Sequence, residues 1–326
     1  MSVVVAPLGP SPGAGGAAPI GDHVSSGPPS PRAGAGGDAA VGQRGASLAG
    51  DEVVALARAA LITLSILLLG FVVYVAWGSG LAHTVAQARE YTLLRNELAQ
   101  GTVPLGPRAG GRPIAPGTPI ALLTIPALGV REVVDEGTSS AVLMAGPGHL
   151  RTSVFPGGVG TSVVFGRSGA YGGPFGRIGS LRRGNVITVR TGVGLATFRV
   201  VGVRRAGGRI PALAEGSGRL TLVSASGPPL FPSGALYVDA DLVGPPFAAA
   251  KPLAAITPAE RVMAADDSGW RGVAFGLELL ALALAAAVWT WLRRGRAHAW
   301  IVFSAPILCI ALYLADQAGR LLPNLT

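Results

Sequence analysis

Residues Leu220-Thr221-Leu222-Val223-Ser224 follow strand propensity, and Ser226-Gly227-Pro228-Pro229 then breaks the chain into a loop. Two hydroxyls, Ser224 and Ser226, thus flank Ala225 where a buried strand ends. A serine becomes a nucleophile only when an imidazole accepts its proton and an acid orients that imidazole. His149 is the one histidine in this part of the chain; the other three, His23, His83 and His298, are far from it in sequence. No cluster of His, Cys, Asp or Glu has metal-ligand spacing, so neither a metal nor another cofactor is expected. Cys309 lies inside an apolar run, where a thiol stays protonated and packs as a small apolar residue. Arg167, close to Tyr171 and followed by Arg177, Arg182 and Arg183, offers a different chemistry. A guanidinium fork can hold a carboxylate or phosphate without reacting with it, although solvated surface arginines explain the same pattern.

The elements that must position these groups are set by hydropathy. Charged residues are only 13% of the 326, apolar ones 49%, and three long apolar runs lie near the two ends, which points to a membrane protein. Net charge is +9, with Lys251 the only lysine. This arginine bias, beside abundant glycine and proline, fits a GC-rich genome better than nucleic-acid binding, because no basic run is interleaved with aromatics.

Residues 1–52 read as a disordered Gly/Pro/Ala-rich tail, and 53–80 as the first transmembrane helix. Leu81, Val85, Ala88, Tyr91, Leu94 and Leu98 then recur at spacings of three and four, so residues 81–117 are expected to form an amphipathic helix and a linker. Between 118 and 244, short apolar runs alternate with glycine-rich turns, as in a compact β domain. Expected strands are Ile120 to Ile125, Ser162 to Phe165, Val186 to Arg190, Thr197 to Arg204, Leu220 to Ser224 and Leu236 to Leu242. A linker over 245–270 leads to two more spans, 271–292 and 300–318, around the basic loop 293–299. Arginines in that loop place it, and with it the N-terminal tail, in the cytoplasm, and the β domain outside. Glu278, in the second span, is expected at the depth of Asp316 and within a turn of Arg320, as a locally satisfied interfacial pair or a partner-binding site.

Several ordered segments carry a resemblance to sortases, the cell-wall cysteine transpeptidases, and in particular to actinobacterial ones. These are Glu97 to Leu105, Ala121 to Gly129, Gly146-Pro147-Gly148-His149, Pro156-Gly157, Pro174 to Ile178, Leu181 to Asn185, and the strand ending at Ser226. The resemblance implies an all-β, closed sortase-like barrel with short helices, to which this chain adds three transmembrane helices. It also implies a cysteine nucleophile, a histidine acid/base and an arginine that stabilises the oxyanion. At those positions this chain has Ala225, Arg167 and Ala235.

The leading expectation is therefore a multi-pass protein of the cytoplasmic membrane with an extracytoplasmic, catalytically inactive sortase-like domain. It would bind a peptide, a cell-wall component or a membrane protein in a cleft formed by Arg167, Tyr171, Ala225 and Ser226. Two alternatives stay open: a transpeptidase or hydrolase using Ser224 or Ser226 with His149, and an assembly subunit acting through its membrane helices. Leu322-Pro323-Asn324-Leu325-Thr326 resembles the start of a sorting signal, but it lacks the glycine and the following membrane segment, so coincidence is the reading adopted.

Overall fold

The computed structural model describes residues 54, 58, 61–104, 113–228, 232–248 and 252–326. The expected tail, 1–52, and part of the linker before the barrel lie outside the described residues.

Eight strands close into one barrel: β1 (Pro119–Ile125), β2 (Val130–Glu136), β3 (Gly148–His149), β4 (Gly160–Phe165), β5 (Val186–Thr191), β6 (Leu195–Arg205), β7 (Gly218–Ser226) and β8 (Gly234–Val243). Around the barrel the order is β1-β2-β3-β4-β7-β8-β6-β5. All six expected strands form. Sequence reading missed β2, which follows a tight turn at Gly129, and β3, which is two residues long. The interior is filled by alternate residues such as Ile120, Ile187, Phe198, Leu220, Leu222, Val238 and Ala240. On β8 the expected alternation appears, with Val238 and Ala240 inward. Eight of the nine residues of β7 are buried, because the strand is covered on both faces, and this is why it reads as an almost unbroken apolar run.

Among the described residues three helices are long and apolar enough to cross a membrane: α1 (Leu61–Gln100), α3 (Gly269–Arg294) and α4 (Arg296–Arg320). The short helix α2 (Ser140–Ala145) lies between β2 and β3. In α1 the expected span and the expected amphipathic helix are one continuous helix, with a wider π-turn at Tyr74–Gly78 and a left-handed cap at Gly101. The break between α3 and α4 is a single residue, Gly295, at φ +89, shorter than the loop expected over 293–299. The two helices are antiparallel neighbours, with Gly272 against Gln317 and Gly276 against Leu314 and Tyr313. That register puts Glu278 about one helical turn nearer to Gly295 than Asp316 is. Asp316 pairs with Arg320 at 3.5 Å, while Glu278 is exposed, so the expected match in depth between Glu278 and Asp316 does not form.

The second half of α1 docks on the barrel. Gln87 does the work of a missing strand where β3 stops short: the Val133 N–H donates to its Oε1 at 2.7 Å, and its Nε2 donates to the carbonyls of Val133 and Ala145. Leu94 is buried with Val103 and Val133, and His83 Nε2 meets Glu132 Oε2 at 3.2 Å. Burial and the neighbouring Glu90 of α1 push the Asp135 carboxyl well above the usual carboxylate range, and burial raises Glu90 as well. A raised carboxyl pKa favours the folded state at low pH, and that contribution fades as pH climbs from the ordinary range near ~4 through the raised value. Asp135→Asn should therefore melt several degrees higher than the native protein at pH 8 and show little advantage at pH 4. Thermal unfolding in detergent across that range checks it.

Candidate ligand cleft

Three strand ends deliver the residues that the sequence singled out. β4 and β7 run parallel with Phe165 opposite Val223, and the Gly166 N–H donates to the Val223 carbonyl at 2.9 Å. β7 and β8 run antiparallel with Ala225 directly opposite Ala235. Arg167 follows β4 by two residues. The positions where the resemblance expects a histidine, a cysteine and an arginine are thus brought to one end of one sheet segment.

Outward-facing residues of these strands make an apolar floor. Phe165, Val223, Ala225 and Ala235 are buried together with Leu143 of α2 and with Leu325; Val163 and Tyr237 pack at the margin. Leu325 belongs to the segment Leu322–Thr326, which follows α4 and turns into the cleft. The turn closes through the Thr326 N–H to the Pro323 carbonyl at 3.1 Å. The Ser168 N–H donates to the Leu325 carbonyl at 2.9 Å, and the Asn324 side-chain amide donates to the carbonyls of Thr138 and Arg261, each at 2.8 Å. The cleft is filled by this segment of the same chain.

Arg167 is fully buried and anchors this arrangement. Nη1 donates to the main-chain oxygen of Thr326 at 3.0 Å, Nη2 donates to Ser140 Oγ at 2.7 Å and to the Ser140 carbonyl at 3.2 Å, and the guanidinium stacks 4.9 Å from the Tyr171 ring centroid. Burial lowers its pKa to about 10, so it keeps its charge at neutral pH. A group that holds its proton this firmly cannot shuttle one at pH 7, which is what an acid/base there would have to do.

Tyr171, expected in the cleft lining, lies behind Arg167 instead. It is 1% exposed and sits in the left-handed region at φ +51, an uncommon conformation for an aromatic residue. Its main-chain N–H donates to Ser79 Oγ at 3.0 Å, and its ring meets Tyr74 edge-on, so it joins the cleft to α1. Gly172, at φ +76, lies so close to the His83 ring that a Cβ would overlap it.

The serines are separated from the imidazole. Ser224 is buried and its Oγ donates to the Gly166 carbonyl at 2.9 Å; Ser226 Oγ lies 3.5 Å from Ser233 Oγ. His149 is engaged elsewhere, with Nδ1 2.9 Å from Glu136 Oε2 and Nε2 3.0 Å from the Val154 carbonyl and 3.1 Å from Ser153 Oγ. Both ring nitrogens are thus engaged by partners other than Ser224 and Ser226. Ala225 and Ser226 also border an open groove of about 970 Å³, lined further by Arg177, Arg204 and Arg205. Two of those arginines are committed: Arg177 donates to the Leu128 carbonyl at 2.6 Å and Arg204 pairs with Asp239 at 2.7 Å. Arg182 and Arg183 are exposed beyond the groove. Among the described residues no group of three or more His, Cys, Asp or Glu could hold a metal ion.

Residues 123–228 match the family model of the sortase domain. This third of the chain is similar to a sortase domain. No curated protein matches the chain. Among solved structures, the barrel is similar to a sortase D5 transpeptidase of Clostridium perfringens, at 18% identity and a TM-score of 0.40, covering 49% of this chain and 99% of that one. It is also similar to sortase E of Streptomyces avermitilis, at 28% identity and 0.35, covering 40% and 91%. A third is sortase C-1 of Actinomyces oris, at 22% and 0.35, covering 48% and 98%.

Each charge-assisted bond from Arg167 is worth about 1.5–3 kcal/mol, and its loss also strands the Ser140 and Thr326 acceptors. Arg167→Ala should cost about 3 kcal/mol or more, and Arg167→Lys should recover little, because a single ammonium cannot reproduce the planar fork. Equilibrium unfolding of the two variants in detergent measures both.

Proposed function

We propose that this is a membrane-anchored, non-catalytic sortase-like protein that acts by binding. The observation that supports this reading most directly is the content of the site. Where a thiol, an imidazole and an oxyanion-stabilising guanidinium would meet, the chain has Ala225, Arg167 and Ala235, and Leu325 packs among them. None of these groups supplies a nucleophile, and Arg167 is spent on main-chain and hydroxyl acceptors.

The ligand class is a peptide, a cell-wall component or a membrane protein at the cell surface. Arg293, Arg294 and Arg296 at the tip of the α3–α4 hairpin support a barrel on the outer face, because basic tips favour the cytoplasmic side. A second reading, an assembly subunit acting through the hairpin, draws on Glu278, an exposed carboxyl on an apolar helix with no charged partner among the described residues.

Full-length protein in nanodiscs should leave a fluorogenic Leu-Pro-x-Thr-Gly peptide uncut and give no adduct with a serine-directed fluorophosphonate, as read by mass spectrometry of the intact chain. Cleavage that disappears in Ser224→Ala or Ser226→Ala would overturn the reading in favour of a serine mechanism.

A further inference from the structure

We propose that Leu322–Thr326 is a removable occupant of the β4–β7–β8 groove: a peptide site held shut by a segment of the same chain and opened when that segment is released. The inference deepens the binding reading above and rests on it for the use of the site, but the occupancy itself stands on separate contacts.

Those contacts have two parts, as recognition of a peptide requires. One part holds any main chain: the Ser168 N–H to the Leu325 carbonyl, Ser140 Oγ to the Leu322 carbonyl, the Asn324 N–H to the Ala264 carbonyl, and Arg167 to the Thr326 oxygen. The other part reads side chains. The Asn324 amide fits between the carbonyls of Thr138 and Arg261, and Leu325 is fully enclosed by the apolar floor. The ligand class follows from this. It is a peptide turn carrying a side-chain amide, then a branched aliphatic residue, then a main-chain oxygen placed for a guanidinium. Beneath it, Phe165, Val223, Ala225 and Ala235 face outward from the barrel, and Leu325 together with Leu143 of α2 keeps this face from water.

The segment is tied to the membrane hairpin. Only Leu321 separates it from the end of α4, and Gly319 of α4 sits so close to Tyr171 that a Cβ there would overlap the tyrosine hydroxyl. Tyr171 in turn carries the Arg167 guanidinium. The helix that places the occupant therefore also touches the residue that positions its clamp, and a shift of α4 loosens both together.

The test reads exposure of the groove floor rather than any activity. In full-length protein carrying Cys309→Ser, Val223→Cys introduces one thiol into the floor that Leu325 covers, away from the open groove, and its alkylation by a soluble maleimide is timed. We expect alkylation roughly tenfold faster once residues 322–326 are deleted or Leu325→Asp is added, as for a site that opens by local release. Asn324→Ala, which removes two hydrogen bonds and leaves Leu325, should give a smaller rise with the barrel's near-ultraviolet dichroism intact. In the deletion variant, millimolar amidated peptide Leu-Pro-Asn-Leu-Thr should restore protection, and the same peptide with aspartate in place of its second leucine should not. Equal alkylation rates in the full-length protein and in all three variants would overturn the proposal, as would a deletion variant that no peptide protects. Peptide cleavage in the separate turnover assay would sink the non-catalytic reading while leaving these rates unchanged, so the two failures are distinguishable.

Discussion

A buried guanidinium imposes the main constraint on this protein. Taking a cation out of water costs several kcal/mol unless acceptors replace its hydration. Arg167 finds them on stretches far apart in sequence: the hydroxyl and carbonyl of Ser140, the main-chain oxygen of Thr326, and the face of Tyr171. If any of these moves, part of the buried guanidinium loses its compensation. The loop after β4, the start of α2, the last residues and, through Tyr171, the helix α1 are thereby held in one arrangement. A histidine at the same place would accept fewer partners and could lose its charge near neutral pH. Arginine makes this end of the barrel a structural joint.

The energetics of the occupied cleft are close to balance. Enclosing Leu325 yields about 1.5–3 kcal/mol, and the neutral hydrogen bonds of the segment contribute roughly 0.5–1.5 kcal/mol each. Ordering five residues costs roughly 1–2 kcal/mol apiece in backbone entropy alone. The segment is held because it is attached: tethering to α4 gives it an effective concentration in the millimolar range that a free peptide must match. Such a balance suits an occupant that can be exchanged.

Much of the architecture was legible because alternating strands and long apolar runs leave strong patterns. Leu236 to Leu242 alternates so cleanly that its inward set was evident. Gly148–His149 left no such trace, since two residues have no period, and Val130 to Glu136 mixes charge and β-branched residues at a turn. At the site, Arg167, Ala225 and Ala235 were found through family likeness, and the sheet register does bring them together. Tyr171 sits on the α1 side of Arg167, since proximity in sequence does not say which side a ring occupies and the left-handed backbone turns it toward Tyr74. Ser140, Thr138 and Asn324 could not have been chosen from sequence, because their role depends on contacts 27 to 186 residues away. Leu322 to Thr326 was noticed for its likeness to a sorting signal, yet composition cannot reveal that a short segment folds back onto a distant groove.

The continuity of α1 has a mechanical meaning. At 1.5 Å per residue its 40 residues extend about 60 Å, roughly twice the hydrocarbon thickness of a bilayer. Half of the helix is thus a stiff stalk, clasped along its length by β2 through Gln87 and Leu94. A flexible tether would let the barrel sweep a wide volume above the lipid. In the proposed membrane orientation this stalk acts as a ruler, so whatever meets the barrel must present itself at a fixed height and facing a fixed way.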